Sequence, residues 1–558
     1  MELSGLDGAV RKARGAFFTP EAICDFICTW ALRGANDEVL EPSCGEAAFL
    51  LSADRQLRSL GSRTPGRQVH TFTQLQGVEV HAESAMRASF SLASTGTEAT
   101  IHLGDFFDCD LPGQFDAVVG NPPYVRYQDF TGESRARAQQ RALAHGVRVN
   151  GLASSWAPFV VHAATFLRPE GRLGLVLPAE LLSVNYAAPI RAFLMKRFAS
   201  VRLVMFEGRV FPGVMEEVVL LLAEGTGPTD HFTVQQVRDV SDLGRLEHCA
   251  STWRPVSSDD KWSPALLPPG AADAYAALAV GGSFVRLKDW GNTSLGMVTG
   301  NNSYFALSAD DARHHGLRAA DLLKISPPGS KHLRGLTFTT KAWEEMRDGG
   351  ARTFLFYPRS DRLSTKALEY VAHGEALSVE SAYKCRVRTP WWRVPLVATP
   401  HLFLTYMNHD TPRLVRNQAQ VPHVNSVHGV SLKRGRVQLG QDWLPMASLN
   451  SLTLLGAELV GRSYGGGMLK LEPTEADALP VPSPLAVEAL GAELSALRPQ
   501  LASAQRGGQL QEAVRLVDEI LLVGHLGLSR RKVKALRDAH ADMRARRAAR
   551  GADPRGTD

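Results

Sequence analysis

Between residues 37 and 224, short apolar runs alternate with amphipathic stretches, and this rhythm is the strongest constraint on the fold. The strand candidates are DEVLE (37–41), LQGVEV (75–80), ATIHL (99–103), FDAVVG (115–120), RLGLVLP (172–178), VRLVMFE (201–207) and EVVLLLA (217–223). Most are near-continuous in apolar residues, as strands covered on both faces must be. Helical spacing fills 20–32, 46–60, 82–94, 153–168 and 186–198. The alternation predicts a doubly wound α/β domain on a largely parallel sheet over residues 1–230. Residues 231–282 become irregular and rich in Pro and Gly, and read as a linker. A mixed α/β domain is expected at 283–483, then a helical C-terminal segment at 484–558 that ends in a basic, frayed tail.

Composition excludes several classes. With 44% apolar and 21% charged residues over 558, neither wholesale disorder nor a fibrous architecture is tenable. No apolar run approaches the ~20 residues of a membrane span, and MELSGLDGAVRKARGAFF has no apolar core of signal-peptide length. A soluble, cytoplasmic protein is expected. Six cysteines with no CxxC pair argue against a disulfide framework or a structural zinc site, so no metal is expected. The net charge of +5 is too small to mark a nucleic-acid binder, so any basic surface has to be local.

The chemistry is concentrated at Asn121-Pro122-Pro123-Tyr124, directly after the strand FDAVVG. The carboxyl end of a strand is where open α/β sheets bind ligands. Two prolines stiffen the turn and aim its carbonyls. The Asn121 amide oxygen and the Pro122 carbonyl offer two acceptors, and Tyr124 adds a flat face. Together they suit a planar group bearing an NH2. Such an amine is a poor nucleophile because its lone pair is delocalised into the ring. Two acceptors on its hydrogens favour a pyramidal nitrogen with a free lone pair, which is preorganised stabilisation of the transition state.

Three upstream segments give that turn a context. Val39–Leu50 (VLEPSCGEAAFL) reads as a strand, a tight turn and a helix start, with Gly45 letting backbone approach a ligand. Glu79 closes the second strand, the place from which a carboxylate binds ribose hydroxyls. Asp105, beside Phe106, closes the third and suits an adenine amino group. Cys44 reads as a small turn residue, because the neighbouring acids Glu41 and Glu46 disfavour a reactive thiolate.

The ordered series resembles the gamma-type N6-adenine DNA methyltransferases of bacterial restriction–modification systems. The resemblance implies a Rossmann-like methyltransferase domain, S-adenosylmethionine as cofactor and base flipping of the target adenine in double-stranded DNA. Phe18, Thr19 and Pro20 match the amino-terminal segment that packs over the methionine part. Glu41, Ser43, Cys44 and Gly45 match the first cofactor motif, in which Ala47 replaces a second glycine. Glu79, Val80, Asp105 and Phe106 match the ribose and adenine contacts, with Asn121 adjoining the cofactor. Phe211 matches the aromatic residue against the extruded base. The similarity continues more loosely through Arg388–Arg393, Leu404–Tyr406, Pro412–Val415, Asn425–His428, Tyr464–Gly467 and Lys470–Pro473. It implies that 283–483 is a DNA target-recognition domain, with Arg388, Trp391, Trp392, Arg393, Arg413, Arg416 and Asn425 as candidate contacts. Cations suit phosphates and aromatics stack on bases, though large aromatics are as often core. Arg135, Arg137, Arg141 and Arg148 form a second basic stretch, read as a solvated face or a lid at the catalytic turn.

Four readings follow. The leading one is N6-adenine methylation, with a separate restriction endonuclease or defence-system partner and residence at the nucleoid. N4-cytosine methylation makes the same demands on the turn. Protein-glutamine methylation and a non-catalytic DNA-specificity subunit are less well matched. No nuclease cluster of acids and lysine is found, so no DNA cleavage is expected.

Overall fold

The computed structural model describes residues 19–62, 74–109, 111, 114–206, 218–245, 250–255, 260–359, 362–464 and 467–551. It divides into two units, Met1–Leu266 and Leu267–Asp558.

The first unit is built on one nine-stranded sheet. In chain order its elements are α1 (Glu21–Ala31), β1 (Val39–Glu41), α2 (Ala48–Ser62), β2 (Leu75–Glu79), α3 (Ala82–Ser94), β3 (Thr100–Leu103) and β4 (Phe115–Gly120). They continue with α4 (Gly132–Ala144), α5 (Trp156–Ala163), β5 (Leu167–Pro178), α6 (Ala188–Arg197), β6 (Ser200–Phe206), β7 (Val218–Glu224), β8 (Phe232–Val237) and β9 (Ser251–Trp253). The spatial order is β3-β2-β1-β4-β5-β7-β6-β8-β9. Strands β1 to β5 pair in parallel, and β7 runs antiparallel between β5 and β6. Winding reverses between β1 and β4, so the crevice at their carboxyl ends is the topological switch point. The central strands are buried end to end: β1, β2 and nearly all of β7 expose nothing to solvent. That burial is why their sequences lack alternation.

The expected linker is corrected. Strands β8 and β9 extend the sheet across 232–253, and Trp262 stacks on Phe232 at 4.3 Å between ring centroids. Arg191, only 1% exposed, fastens 260–262 to the unit: Nε donates to the Asp260 carbonyl at 2.8 Å and Nη1 to Leu181 and Val184 at 3.0 and 3.1 Å. Short edge strands with polar alternation leave a weak trace in a Pro- and Gly-rich stretch. The first unit therefore closes at 266.

The second unit holds a five-stranded sheet in the spatial order Gly291–Leu295, Val427–Leu432, Leu402–Thr405, Leu414–Asn417 and Thr337–Phe338. A three-stranded sheet from Ala306–Leu307, Phe354–Phe356 and Leu322–Lys324 carries a satellite core around Tyr304, Phe356 and Tyr370. The C-terminal helices are not a separate segment. Leu494, Val517, Leu522, Val533 and Leu536 share one core with Trp290, Leu402 and Val430. In its described part the basic segment is a single helix, Arg530–Gly551, docked on Ser451–Val460. Among the described residues no helix is long and apolar enough to cross a membrane.

Candidate active site

Four adjacent strand ends carry the chemistry. After β1, the turn 42–47 folds back on β2. Cys44 N donates to the Val78 carbonyl at 2.9 Å, and Gly45, at φ +52°, donates its N–H to Glu79 Oε2 at 2.9 Å. Gly77 makes this approach possible, because a Cβ there would lie 3.0 Å from Cys44 Sγ and 2.9 Å from Ile101 Cδ1. Glu79 Oε1 accepts from His81 N at 2.9 Å, so both carboxylate oxygens face backbone N–H groups. Ser43 is half-buried and Val80, next along, is 56% exposed at the strand end. Burial pushes the Cys44 thiol well up, with Glu41 and then Glu79 adding to it, so this cysteine is no nucleophile.

Two of the expected cofactor contacts do other work. Glu41 is buried and its Oε2 accepts Leu50 N at 3.1 Å, placing the carboxyl at the start of α2. Burial raises its pKa, opposed by the Leu50 and Phe49 N–H groups. The Phe106 ring packs 4.8 Å from Phe159 and 4.7 Å from His162, within the core. It presents no free ring face. Asp105 stays at the strand end: Oδ1 accepts Phe107 N at 3.0 Å, and Ser134 Oγ reaches Oδ2 at 3.3 Å.

The catalytic turn is held from three sides. Asn121 Nδ2 donates to Thr19 Oγ1 at 3.2 Å, which joins the amino-terminal segment to the turn; Pro20 follows, leading into α1. Tyr124 is 7% exposed and its hydroxyl donates to the Val176 carbonyl on β5 at 2.9 Å. Ser155, 3% exposed, clamps the remainder. Its hydroxyl donates to the Pro123 carbonyl and accepts Val125 N at 2.9 Å, while Ser155 N donates to the Val125 carbonyl at 3.0 Å. Sequence reasoning missed Ser155, since a serine ahead of a helix reads as an N-cap. Here it makes no cap bond to α5. Phe18 and Phe211 lie outside the described residues.

Three arginines of the basic stretch lie on α4 and make contacts there. Arg137 meets Asp108 at 3.1 Å and Asp105 at 3.8 Å, Arg141 Nε donates to the Phe107 carbonyl at 2.8 Å, and Arg135 Nη1 to Gly151 at 3.0 Å. Arg137 and Arg141 thus tie α4 to the Asp105 segment, while Arg148 lies beyond the helix and is exposed.

In the second unit Trp392 is buried, and the other expected DNA contacts are half-buried and partnered within the fold. Trp392 is 8% exposed, and Trp391 packs on Tyr304 at 5.6 Å and donates Nε1 to Glu375 at 3.2 Å. Trp392 thus belongs to the satellite core, and Trp391 packs half-buried against it. Arg388 donates to the Val298 carbonyl, Arg393 lies over the Trp392 and Tyr357 rings, Arg413 pairs with Asp410, and Arg416 meets Asp442 at 2.6 Å. Asn425 is half-buried and its N–H donates to the Met297 carbonyl at 3.1 Å. The motif residues His428, Tyr406, Lys470 and Glu472 do come together: the His428 and Tyr406 rings lie 4.8 Å apart and Lys470 Nζ is 2.7 Å from Glu472.

Residues 4–234 match the family described as N-6 DNA Methylase, and 259–522 match the C-terminal domain of Type II methyltransferase M.Eco57I. The first of these matches takes in all four strand ends described above. The activity of this chain is site-specific methylation of adenine N6 in DNA. The chain is 21% identical to Type II methyltransferase M.AccI of Acinetobacter calcoaceticus, over 83% of its own length and 84% of the relative. It is 24% identical to M.XamI of Xanthomonas campestris pv. amaranthicola, over 84% and 85%. M.XhoI of Xanthomonas vasicola is 32% identical over 33% of this chain and 37% of the relative. Two relatives thus span both units, as the two family matches do.

Proposed function

We propose that this chain takes its methyl group from S-adenosylmethionine, held across the ends of β1, β2 and β3. The observation that carries the reading is the placement of the 42–47 turn, Glu79, Asp105 and Asn121 at four neighbouring strand ends beside the switch point. The pocket chemistry fits the cofactor: a Cβ on Gly45 would meet nothing within 4 Å, Glu79 is ready to exchange backbone donors for ribose hydroxyls, and Val80 offers an exposed apolar face. Bound, the cofactor supplies an electrophilic methyl on a sulfonium.

The protein's own residues do the remainder. Asn121 and the Pro122 carbonyl accept the hydrogens of the target amine, freeing its lone pair for in-line attack. Pro123 keeps the turn stiff, and Tyr124 presents its ring to the base. By the resemblance, Phe211 is the aromatic residue assigned to the base. No covalent enzyme intermediate is needed. Because that amine is engaged in pairing, the adenine leaves the duplex first. The second unit carries sequence recognition, in keeping with the type II relatives, and a separate restriction endonuclease is the partner this implies.

The test is incubation with unmethylated genomic DNA and isotope-labelled S-adenosylmethionine, followed by nucleoside mass analysis. Label in N6-methyladenine is the expected result. Label in N4-methylcytosine keeps the turn chemistry and overturns the base, and no labelled nucleoside moves the substrate to a protein amide. Asn121→Ala abolishes transfer and leaves cofactor binding within about tenfold, under ~1.4 kcal/mol; turnover by this variant removes Asn121 from catalysis.

A further inference from the structure

The expected contacts of the second unit are half-buried or buried and partnered within the fold, and other cations of this unit stand exposed. A cleft of about 680 Å³ opens in this unit, and its lining includes Arg313, Lys324 and Arg359 but no acid. Lys324 ends the strand Leu322–Lys324, exposed, with its ammonium 4.9 Å from the Trp343 ring centroid. Arg359 is exposed just beyond the neighbouring strand Phe354–Phe356, its backbone N–H fixed to the Ala320 carbonyl at 3.2 Å. Arg313 pairs with Asp310, but both are more than 70% exposed, and such a pair breaks easily. Between the cations the wall is apolar, with Leu322 and Val397 among its residues.

Gln420 stands on the same lining, exposed, at φ +50°. That region is uncommon for a residue with a side chain, and such strain gathers at ligand contacts. Buried Asn417 enforces it: Nδ2 donates to the Pro400 and Val421 carbonyls at 2.9 Å each, and Oδ1 accepts Val421 N at 3.3 Å. The turn is thus bridged from below, with its glutamine on the cleft side.

We propose that this cleft receives one strand of the DNA substrate, with phosphates on Lys324 and Arg359 and with Gln420 reading a base edge. The inference rests on the DNA-methyltransferase reading and names the surface that serves it. A cation-only rim needs an anion, an apolar wall needs flat or hydrocarbon faces, and a nucleic-acid strand supplies both. A carboxamide pairs in two-point fashion with adenine N6 and N7.

The test uses the full chain with random duplex DNA over a salt series, and calorimetry with S-adenosylmethionine alongside. Lys324→Gln/Arg359→Gln weakens binding to all sequences alike and lowers the log–log salt slope by about 2. Arg359→Lys, which keeps the charge, retains the affinity. Gln420→Ala relaxes the methylated motif at one base position, on the order of tenfold, when modified sites are mapped by sequencing. Unchanged slope and unchanged motif overturn the proposal. Equal losses in Arg359→Lys and Arg359→Gln overturn the charge argument. Wild-type chain that binds cofactor but no DNA overturns the parent reading, a result separable from failure of the cleft.

Discussion

Ser155 shows how much one hydroxyl can decide. It satisfies a carbonyl and an N–H on either side of Tyr124, both in a stiff turn with few alternative partners. Ser155→Ala leaves two half-buried polar groups without this partner, a loss of about 1 kcal/mol each. The expected outcome is a fall in kcat on the order of tenfold, with the cofactor Kd unchanged and Ser155→Thr recovering most of the loss; a fall in cofactor affinity instead makes the residue merely structural. Ala47 is the second case. Its backbone sits at φ +68° and it is fully buried, where the resembled motif has glycine. The left-handed region costs a residue with a Cβ about 1–2 kcal/mol, partly offset by the entropy glycine adds to the unfolded chain. Ala47→Gly raises unfolding free energy by up to about 1 kcal/mol in urea titration, with cofactor binding unmoved.

At the scale of elements, the C-terminal helix Arg530–Gly551 is locked by a buried pair. Arg547 and Glu458 are each 3% exposed, with Nε and Nη2 bonding the two carboxylate oxygens at 2.9 and 2.8 Å. The same guanidinium donates to the Gly467 carbonyl. Gly467 has no room for a side chain, since a Cβ would lie 3.0 Å from Ala548 Cα. Arg547→Met strands a buried carboxylate and costs about 3–5 kcal/mol, whereas Arg547→Met/Glu458→Leu recovers much of it. Chemical denaturation with amide exchange across 530–551 measures both, and equal losses in single and double variants refute the coupling. The Arg- and Lys-rich stretch from Ser529 reads as a solvated tail because its anchors, Glu458 and Asp518, lie upstream of it; Asp518 meets Arg537 at 2.7 Å. Strands β1 to β7 were legible for the opposite reason, since their burial on both faces writes itself into an apolar run.

Across the whole molecule, buried histidines set the acid limit. His162 in the first unit and His423 and His540 in the second are under 5% exposed, and burial first of all lowers each pKa to about 4. Their unfolded values lie near 6.5, so between pH ~6.5 and ~4 the unfolded chain binds the extra protons. Stability is full above this window and falls as pH drops through it, by up to about 3 kcal/mol per histidine. Urea midpoints at pH 7.5 and 5.0 check the sign, and His423→Gln flattens the second unit's share. A flat profile contradicts the burial argument.

Sequence by itself determined the sheet, its winding and the order of the chemistry-bearing strand ends. Those depend on local periodicity and on residues adjacent in the chain, and Asn121, Glu79 and Asp105 each stand at the end of a readable strand. Only the tertiary structure decided what the polar and aromatic residues face. Trp392 and Phe106 have the composition of a ligand surface and the environment of a core, and Trp391 and Arg388 are half-buried beside them, because partners such as Tyr304, Val298 and His162 come from distant segments. Ser155 carries no signal in its own neighbourhood. Its role arises from a turn 30 residues upstream, a contact that exists only once the chain has folded.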